Sequence, residues 1–280
     1  MIADRALRDA VALVFVDDLT APQLAANDAH HLAEVLRVQA GELIAVGDGR
    51  GSFRMCAAAI QPDDPEGDRA PRPRRQHRRG PRQLTLSLEG AIVTLPPLAP
   101  AITVGFGIPK GDRAEWTVQK LTELGVDVIV PLLTDRTVVR LDAPEANRRG
   151  ERFRRVAREA ASQCRRVYLP EVLDPCRFED LPAAIVDGAV LAEPGAGAIG
   201  RASTVLVGPE GGWSSDELAR GLPTVALSTQ ILRAETAAIV AGALLCASRA
   251  GIAELSGTLI ENGFDREVEM TQRGEGGRLP

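Results

Sequence analysis

Apolar residues recur along the chain in two rhythms, and the rhythm changes near residue 100. Up to residue 94 they come as short runs at 13–16, 43–46, 53–60 and 84–88, set apart by turn-forming stretches such as 47–51. Runs of that length, bounded by Gly and Asp, predict strands, and so a small β-rich unit over 13–94 behind an N-terminal extension, 1–12. The stretch 61–83 is rich in Pro and Arg and has no apolar period, which predicts a mobile loop inside that unit. Pro96, Pro97 and Pro100 then stiffen a linker.

From residue 101 apolar strands alternate with amphipathic helices, the pattern of an α/β domain with a mainly parallel sheet over 95–256. A strand at 102–107 leads to a helix announced by Asp112 and Glu115 at capping-box spacing. Ala114, Val118, Leu121 and Leu124 share one face of it, and Gly125 is its expected stop. A strand at 126–133 follows. A second helix, read as starting at residue 151, puts Phe153, Val156, Ala157, Ala160, Ala161 and Cys164 on one side and arginines on the other. Strands at 189–192, 204–207 and 224–227 precede a last helix over 233–249, and 257–280 reads as a polar tail.

Composition narrows the function classes. A chain of 280 residues has room for the two units read above. A net charge of −5 excludes binding to nucleic acid by bulk charge, yet 69–82 holds seven arginines and no acid, and 136–166 holds ten arginines against four acids. An acidic chain of this kind can seat RNA on a local basic face. Aromatic residues at 3% argue against a base-stacking platform. Charged residues at 4, 5, 8 and 9 stand where a signal peptide needs an apolar run, and the apolar stretch 236–247 is too short to span a bilayer, so a cytoplasmic location is expected. Cys56, Cys164, Cys176 and Cys246 have neither metal-site nor disulfide-framework spacing, so no metal is expected.

Two segments carry the candidate chemistry. Leu206-Val207-Gly208-Pro209-Glu210-Gly211-Gly212-Trp213 is a strand ending in a Gly-rich loop, followed by Ser214 and Glu217 at capping-box spacing. Such a loop at the carboxyl end of a strand lets backbone amides approach a ligand, and an ordinary tight turn would use the same glycines. It lacks both the P-loop and the dinucleotide fingerprints. The second segment, 227–237, also follows a strand and opens a helix, with Arg233 and Glu235 at the helix start. An acid suits that position by the helix dipole, whereas an arginine there is mildly unfavourable.

These segments, taken with Pro109-Lys110-Gly111-Asp112-Arg113-Ala114-Glu115-Trp116, with 120–126, with Asp135-Arg136 and with Arg158 to Arg166, resemble the successive motifs of the ribosomal small-subunit methyltransferase E family of SPOUT methyltransferases. His30-His31-Leu32 with Val35-Leu36-Arg37-Val38, Gly41 and Asp48-Gly49 is similar to that family's PUA-like RNA-binding barrel, and the resemblance runs over about 13–253. It implies an α/β, SPOUT-type trefoil-knotted methyltransferase domain behind a small PUA-like β-barrel. It implies a homodimer that uses S-adenosyl-L-methionine to methylate ring nitrogen 3 of one uridine in 16S rRNA. By resemblance Gly208, Pro209, Glu210, Gly211, Leu227, Ile231, Leu232 and Ala234 lie at the cofactor.

Methyl transfer from a sulfonium asks the protein mainly to hold donor and acceptor together. The uridine nitrogen carries a proton, so cations near its two carbonyls and a proton acceptor complete the requirement. Arg113, Arg136, Arg166 and Arg233 are candidates for the first role and Glu235 for the second, although Glu235 is also placed to cap the helix or to bind Arg233. Lys110, Arg113, Arg136, Arg140, Gln163, Arg165, Arg166 and Arg37 are the expected RNA contacts. The sequence departs from the family at Ser228, where a glycine is usual, at Gln230, where an arginine is usual, and at Ala234, where a threonine is common. A serine forced to positive φ at 228 would weaken the cofactor pocket. Two other readings stay open: a SPOUT enzyme acting on another RNA or on a ribose oxygen, and a binding-only ribosome-assembly factor whose cofactor pocket has decayed.

Overall fold

The computed structural model describes residues 2–61, 83–200 and 202–255, so the body of the expected 61–83 loop and the 257–280 tail lie outside the described residues. Helix α1 (Ile2–Asp9) leads into β1 (Ala12–Phe15). Then come α2 (Ala26–His30), running directly into a π-helical turn at His31–Val35, and strands β2 (Leu43–Gly47), β3 (Ser52–Gln61) and β4 (Gln83–Thr94). These strands form one sheet in the order β1-β2-β3-β4, with β1 parallel to β2 and the rest antiparallel. All four apolar runs expected to be strands are strands. Among the described residues no ladder joins β4 back to β1.

The second unit opens with β5 (Thr103–Gly107), α3 (Arg113–Leu124), β6 (Val128–Leu133) and α4 (Ala143–Cys164). Short strands β7 (Glu171–Val172) and β8 (Cys176–Arg177) and helix α5 (Ala183–Val186) follow. The chain then runs through β9 (Ala189–Ala198), β10 (Thr204–Val207), α6 (Ser215–Leu218), β11 (Thr224–Ala226) and α7 (Ala234–Arg249). The sheet is parallel, with order β11-β9-β10-β5-β6-β7 and β8 paired to β6. The chain thus fills one side of β5 first and later lays β10 on its other side. α7 finally packs back on α3, β5 and β10. The strands are apolar along their length, as strands covered on both faces must be: Val104, Phe106, Ile129, Leu132, Val205 and Leu206 are all fully buried. No helix among the described residues is long and apolar enough to cross a membrane.

Three local expectations are corrected. Asp112 does not cap α3: its backbone lies at φ −89°, ψ 0°, no side-chain cap bond forms, and Glu115 reaches Arg152 at 3.1 Å instead. The helix read from residue 151 starts eight positions earlier, because Asp142 and Glu145 form a complete capping box with Pro144 in the first turn. Cys164, expected on its buried face, is exposed. Gly125 does end α3, at φ 98°.

The two units share a core, in which Leu7, Leu13, Phe15 and Phe53 of the first pack with Ala161 and Val167 of the second. Backbone groups also cross the junction: Leu169 N–H donates to Gly49 O at 2.9 Å and Tyr168 Oη to Leu95 O at 2.8 Å. Arg158 lies over the Phe15 ring and donates to its carbonyl at 2.8 Å.

Candidate functional site

The Gly-rich loop leaves β10 at Val207 and is held from below and behind. A Cβ at Gly107 would meet the backbone nitrogen of Pro209 at 2.6 Å, so β5 and the loop touch through backbone alone. Gly208 lies flat on the Trp213 indole, which donates to Ala192 O at 3.1 Å and packs on Phe178. Beyond it Ser214 and Glu217 form the expected capping box of α6. Glu217, 5% exposed, has a second use: its Oε1 accepts the Asp135 N–H at 3.0 Å, while Ser214 Oγ donates to Asp135 Oδ2 at 2.6 Å. Arg136 then donates to Gly211 O at 2.9 Å. The Asp135-Arg136 motif is therefore a brace for the Gly-rich loop.

Between this loop and the segment after β11 lies a cavity of about 300 Å³. Gly208, Pro209, Glu210 and Gly211 line one wall and Leu227, Ile231, Leu232 and Ala234 the other, so all eight residues expected at the cofactor face one space. The volume is that of a small-molecule site, and the walls combine apolar side chains with approachable backbone. Ser228 also lines it, at negative φ, with its Oγ accepting the Gln230 N–H at 3.0 Å. The strain expected of a serine at this position is absent.

Glu235 stands in the first turn of α7, 6% exposed. Its partner is Arg113, not Arg233: Arg113 Nη1 donates to Glu235 Oε1 at 3.1 Å and lies 3.7 Å from Glu210 Oε1. The bond to Glu235, then its charge, raises the Arg113 pKa above the ordinary arginine value. Glu235 Oε2 is buried without a hydrogen-bond partner. Such an oxygen is costly to leave unused, which marks it as an acceptor in waiting. Arg233 is the N-cap residue of α7 and is exposed, and among the described residues no hydrogen bond or ion pair engages its side chain.

The remaining expected contacts scatter. Lys110, Arg140, Gln163 and Arg37 are exposed, Arg37 at φ 55°. Arg165 and Arg166 turn inward. Arg166 donates to Thr122 O, Val126 O and Asp127 Oδ1 at 3.1, 2.6 and 3.0 Å. Burial pushes its pKa down, and Asp127 works against that shift. Arg165 donates to Ala10 O and Val11 O across the junction of the units. Their guanidiniums are committed to carbonyls, which is a structural use rather than an open phosphate site. The sequence reading missed Asp127, which binds Arg166 and Arg249, and the bond from Asp135 N–H to Glu217; these partners lie 39, 122 and 82 positions apart, and nothing local in the sequence marks them.

The model of an RNA methyltransferase domain matches residues 96–246, and that of an RNA methyltransferase PUA domain matches 24–57. The α/β fold with its loop-bounded cavity, behind the sheet of the first unit, defines an RNA methyltransferase of the SPOUT type. The ribosomal RNA small subunit methyltransferase E of Mycobacterium bovis is 31% identical over 255 residues, which cover 82% of this chain and 90% of that protein. The protein of the same name from Bacillus subtilis is 34% identical over 162 residues, 50% of this chain and 63% of the relative. The crystal structure of ribosomal RNA small subunit methyltransferase E from Neisseria gonorrhoeae, bound to S-adenosyl methionine, superposes with TM-score 0.65 and 26% identity over 84% of this chain and 97% of that one. A probable rRNA-methyltransferase from Porphyromonas gingivalis gives 0.64 and 26% over 86% and 100%. The chain belongs to the ribosomal RNA small subunit methyltransferase E family.

Proposed function

We propose that this protein transfers a methyl group from S-adenosyl-L-methionine to ring nitrogen 3 of a uridine in 16S rRNA of the small ribosomal subunit, acting in the cytoplasm as a homodimer. The observation that carries the reading is the meeting of the two loops around one cavity, with an unpaired buried carboxylate oxygen at the start of α7 beside it. The cavity fits the cofactor in kind: Leu227, Leu232 and Ala237 offer apolar walls, and the glycines of the opposite loop expose backbone groups. The cofactor, when bound there, supplies an activated methyl group on a sulfonium.

The residues of the chain divide the remaining work. Glu235 Oε2 accepts the proton that leaves ring nitrogen 3, while Oε1 stays pinned by Arg113 so that the free oxygen faces one way. Arg233, exposed and uncommitted, stabilises the negative charge that spreads to the uracil carbonyls. Arg113 and Arg136 act as positioning residues, the first on Glu235 and the second on Gly211. Lys110, Arg140 and Arg37 contact RNA backbone.

Trp116, Val138 and Ile231 are 47%, 64% and 87% exposed. Apolar side chains so placed near a binding cavity suit burial against a second copy.

The test is mass spectrometry of 16S rRNA from cells with and without the gene. Loss of 3-methyluridine, restored by the wild-type gene, supports the reading, and unchanged 3-methyluridine refutes it. Calorimetry with S-adenosylmethionine separates an enzyme from a binding-only factor, because the latter shows no binding even at millimolar cofactor.

A further inference from the structure

Two motifs singled out in the sequence meet far from the cofactor cavity, on the boundary between the units. A groove of about 680 Å³ runs between β1, the helical stretch 26–36 and the last turn of α4. Its floor is apolar, with Leu13 and Leu32 buried, and Leu36 stands 47% exposed at its edge. Asn27, Asp28 and His31 line one wall and Glu159 and Gln163 the other. None of these five side chains makes a hydrogen bond or ion pair within the described protein. Polar ends ringing an apolar slot are held by water alone, and a ligand with matching groups exchanges for that water at little cost.

A flat ring with an apolar face and a hydrogen-bonding edge has this complementarity, and a nucleobase is such a ring. Without Phe, Tyr or Trp in its lining, the groove would hold a base among aliphatic side chains and the His31 imidazole and identify it by its edge. Asn27, His31 and Gln163 can each donate or accept, and the Arg165 guanidinium in the lining is bound to backbone carbonyls, so the bias comes from the two carboxylates. Asp28 and Glu159 only accept hydrogen bonds, so they favour an exocyclic amino group, as on cytosine or adenine, over the carbonyls of uracil. Arg37 follows Leu36 at the lip, exposed, and is placed for the adjoining phosphate.

The groove is also well separated from the reacting centre. Arg149 near the start of α4 donates to Gly111 O at 3.4 Å, just before Arg113. Ser162, which lines the groove, is thirteen positions further along the same helix. At 1.5 Å per residue that is roughly 20 Å.

We propose that this groove binds an unpaired, amino-bearing base of the RNA substrate, several nucleotides from the methylated uridine, and thereby helps to select the RNA. The proposal rests on the reading that the chain modifies RNA. Fluorescence anisotropy of the full chain with labelled single-stranded hexamers of cytidine, adenosine or uridine tests it. The wild type is expected to favour cytidine or adenosine hexamers over uridine by about tenfold. The double variant Asp28→Asn, Glu159→Gln, which keeps the side-chain shapes, is expected to lose that preference. No preference in the wild type, or one that survives the double variant, overturns the proposal. Cofactor binding and 3-methyluridine content are read on the same proteins. A wild-type chain that methylates rRNA without any hexamer preference overturns the groove alone, whereas absence of methylation overturns the proposed activity.

Discussion

Arg113 and Glu235 lie 122 positions apart in the chain and join through a 3.1 Å hydrogen bond next to Glu210 and Ala234, which line the cavity between the two loops. The bond uses one carboxylate oxygen and leaves the other buried and unpaired. An unused buried acceptor costs about 1–3 kcal/mol; Glu115, paired with Arg152, has one too, and what sets Glu235 apart is its place beside Ala234 at the cavity wall.

The first prediction follows from that asymmetry. Glu235→Gln keeps the shape and the bond to Arg113 but cannot take a proton. Single-turnover methylation is expected to slow at least about 100-fold, with cofactor affinity measured by calorimetry nearly unchanged. Equal losses in rate and cofactor affinity would show that Glu235 only supports the pocket. Arg113→Lys is expected to give a smaller loss of rate, because an ammonium keeps the charge beside Glu235 and Glu210 but lacks the Nε–H that ties Arg113 to Lys110 O.

Gly107 tests whether the Gly-rich loop owes its position to β5. A Cβ there meets backbone atoms of Pro209 at 2.6 and 2.9 Å, which no side-chain rotation relieves. Gly107→Ala is therefore expected to displace the loop, costing about 1–3 kcal/mol in stability by overpacking. Cofactor affinity should fall about tenfold, a change of about 1.4 kcal/mol. Unfolding in urea and calorimetry measure the two effects, and unchanged affinity would remove this loop from the cofactor site.

Arg166 separates a structural arginine from an RNA-binding one. Its three bonds reach Thr122, Val126 and Asp127, and its side chain is 13% exposed. Arg166→Ala removes the Val126 carbonyl's side-chain donor, leaves Thr122 O with the Gly125 N–H, and leaves Asp127 with Arg249 and the Ile102 N–H, at an expected cost of about 2–3 kcal/mol. Denaturant unfolding checks it. Reduced RNA affinity at unchanged stability would restore the phosphate role.

The contrast between Arg166 and Glu235 shows what was legible in the sequence. Strands such as 204–207 and the capping box at Ser214 and Glu217 were readable because local apolar runs and side-chain to backbone bonds follow from near neighbours. The eight cavity residues were readable through motif resemblance, and they do share one space. The partner of Glu235 was not, because Arg113 comes from another helix and only the return of α7 onto α3 brings the two together. Arginine looks the same in sequence whether it faces a phosphate or a carbonyl. The start of α4 was missed for a different reason: its first two turns are polar and exposed, so apolar periodicity is silent there, and only the Asp142 cap marks the boundary.

Ser228 supplies the last prediction. Its place in the motif usually holds a glycine, which suggested a damaged pocket, yet its φ is not positive and its hydroxyl accepts the Gln230 N–H at 3.0 Å. That bond closes a turn on the side of the cavity formed by Leu227, Ile231 and Leu232. Replacing the serine by glycine removes the bond, worth about 1 kcal/mol, and adds freedom to the unfolded chain, worth about 0.4–1 kcal/mol. Ser228→Gly is therefore expected to weaken cofactor binding severalfold and to lower stability, not to improve either. Ser228→Ala divides the two terms, since it loses the hydroxyl while keeping the backbone restricted, and should fall between wild type and glycine in unfolding free energy. A gain in cofactor affinity for Ser228→Gly by calorimetry would mean that the serine side chain obstructs the ligand and that the pocket of this chain is indeed impaired.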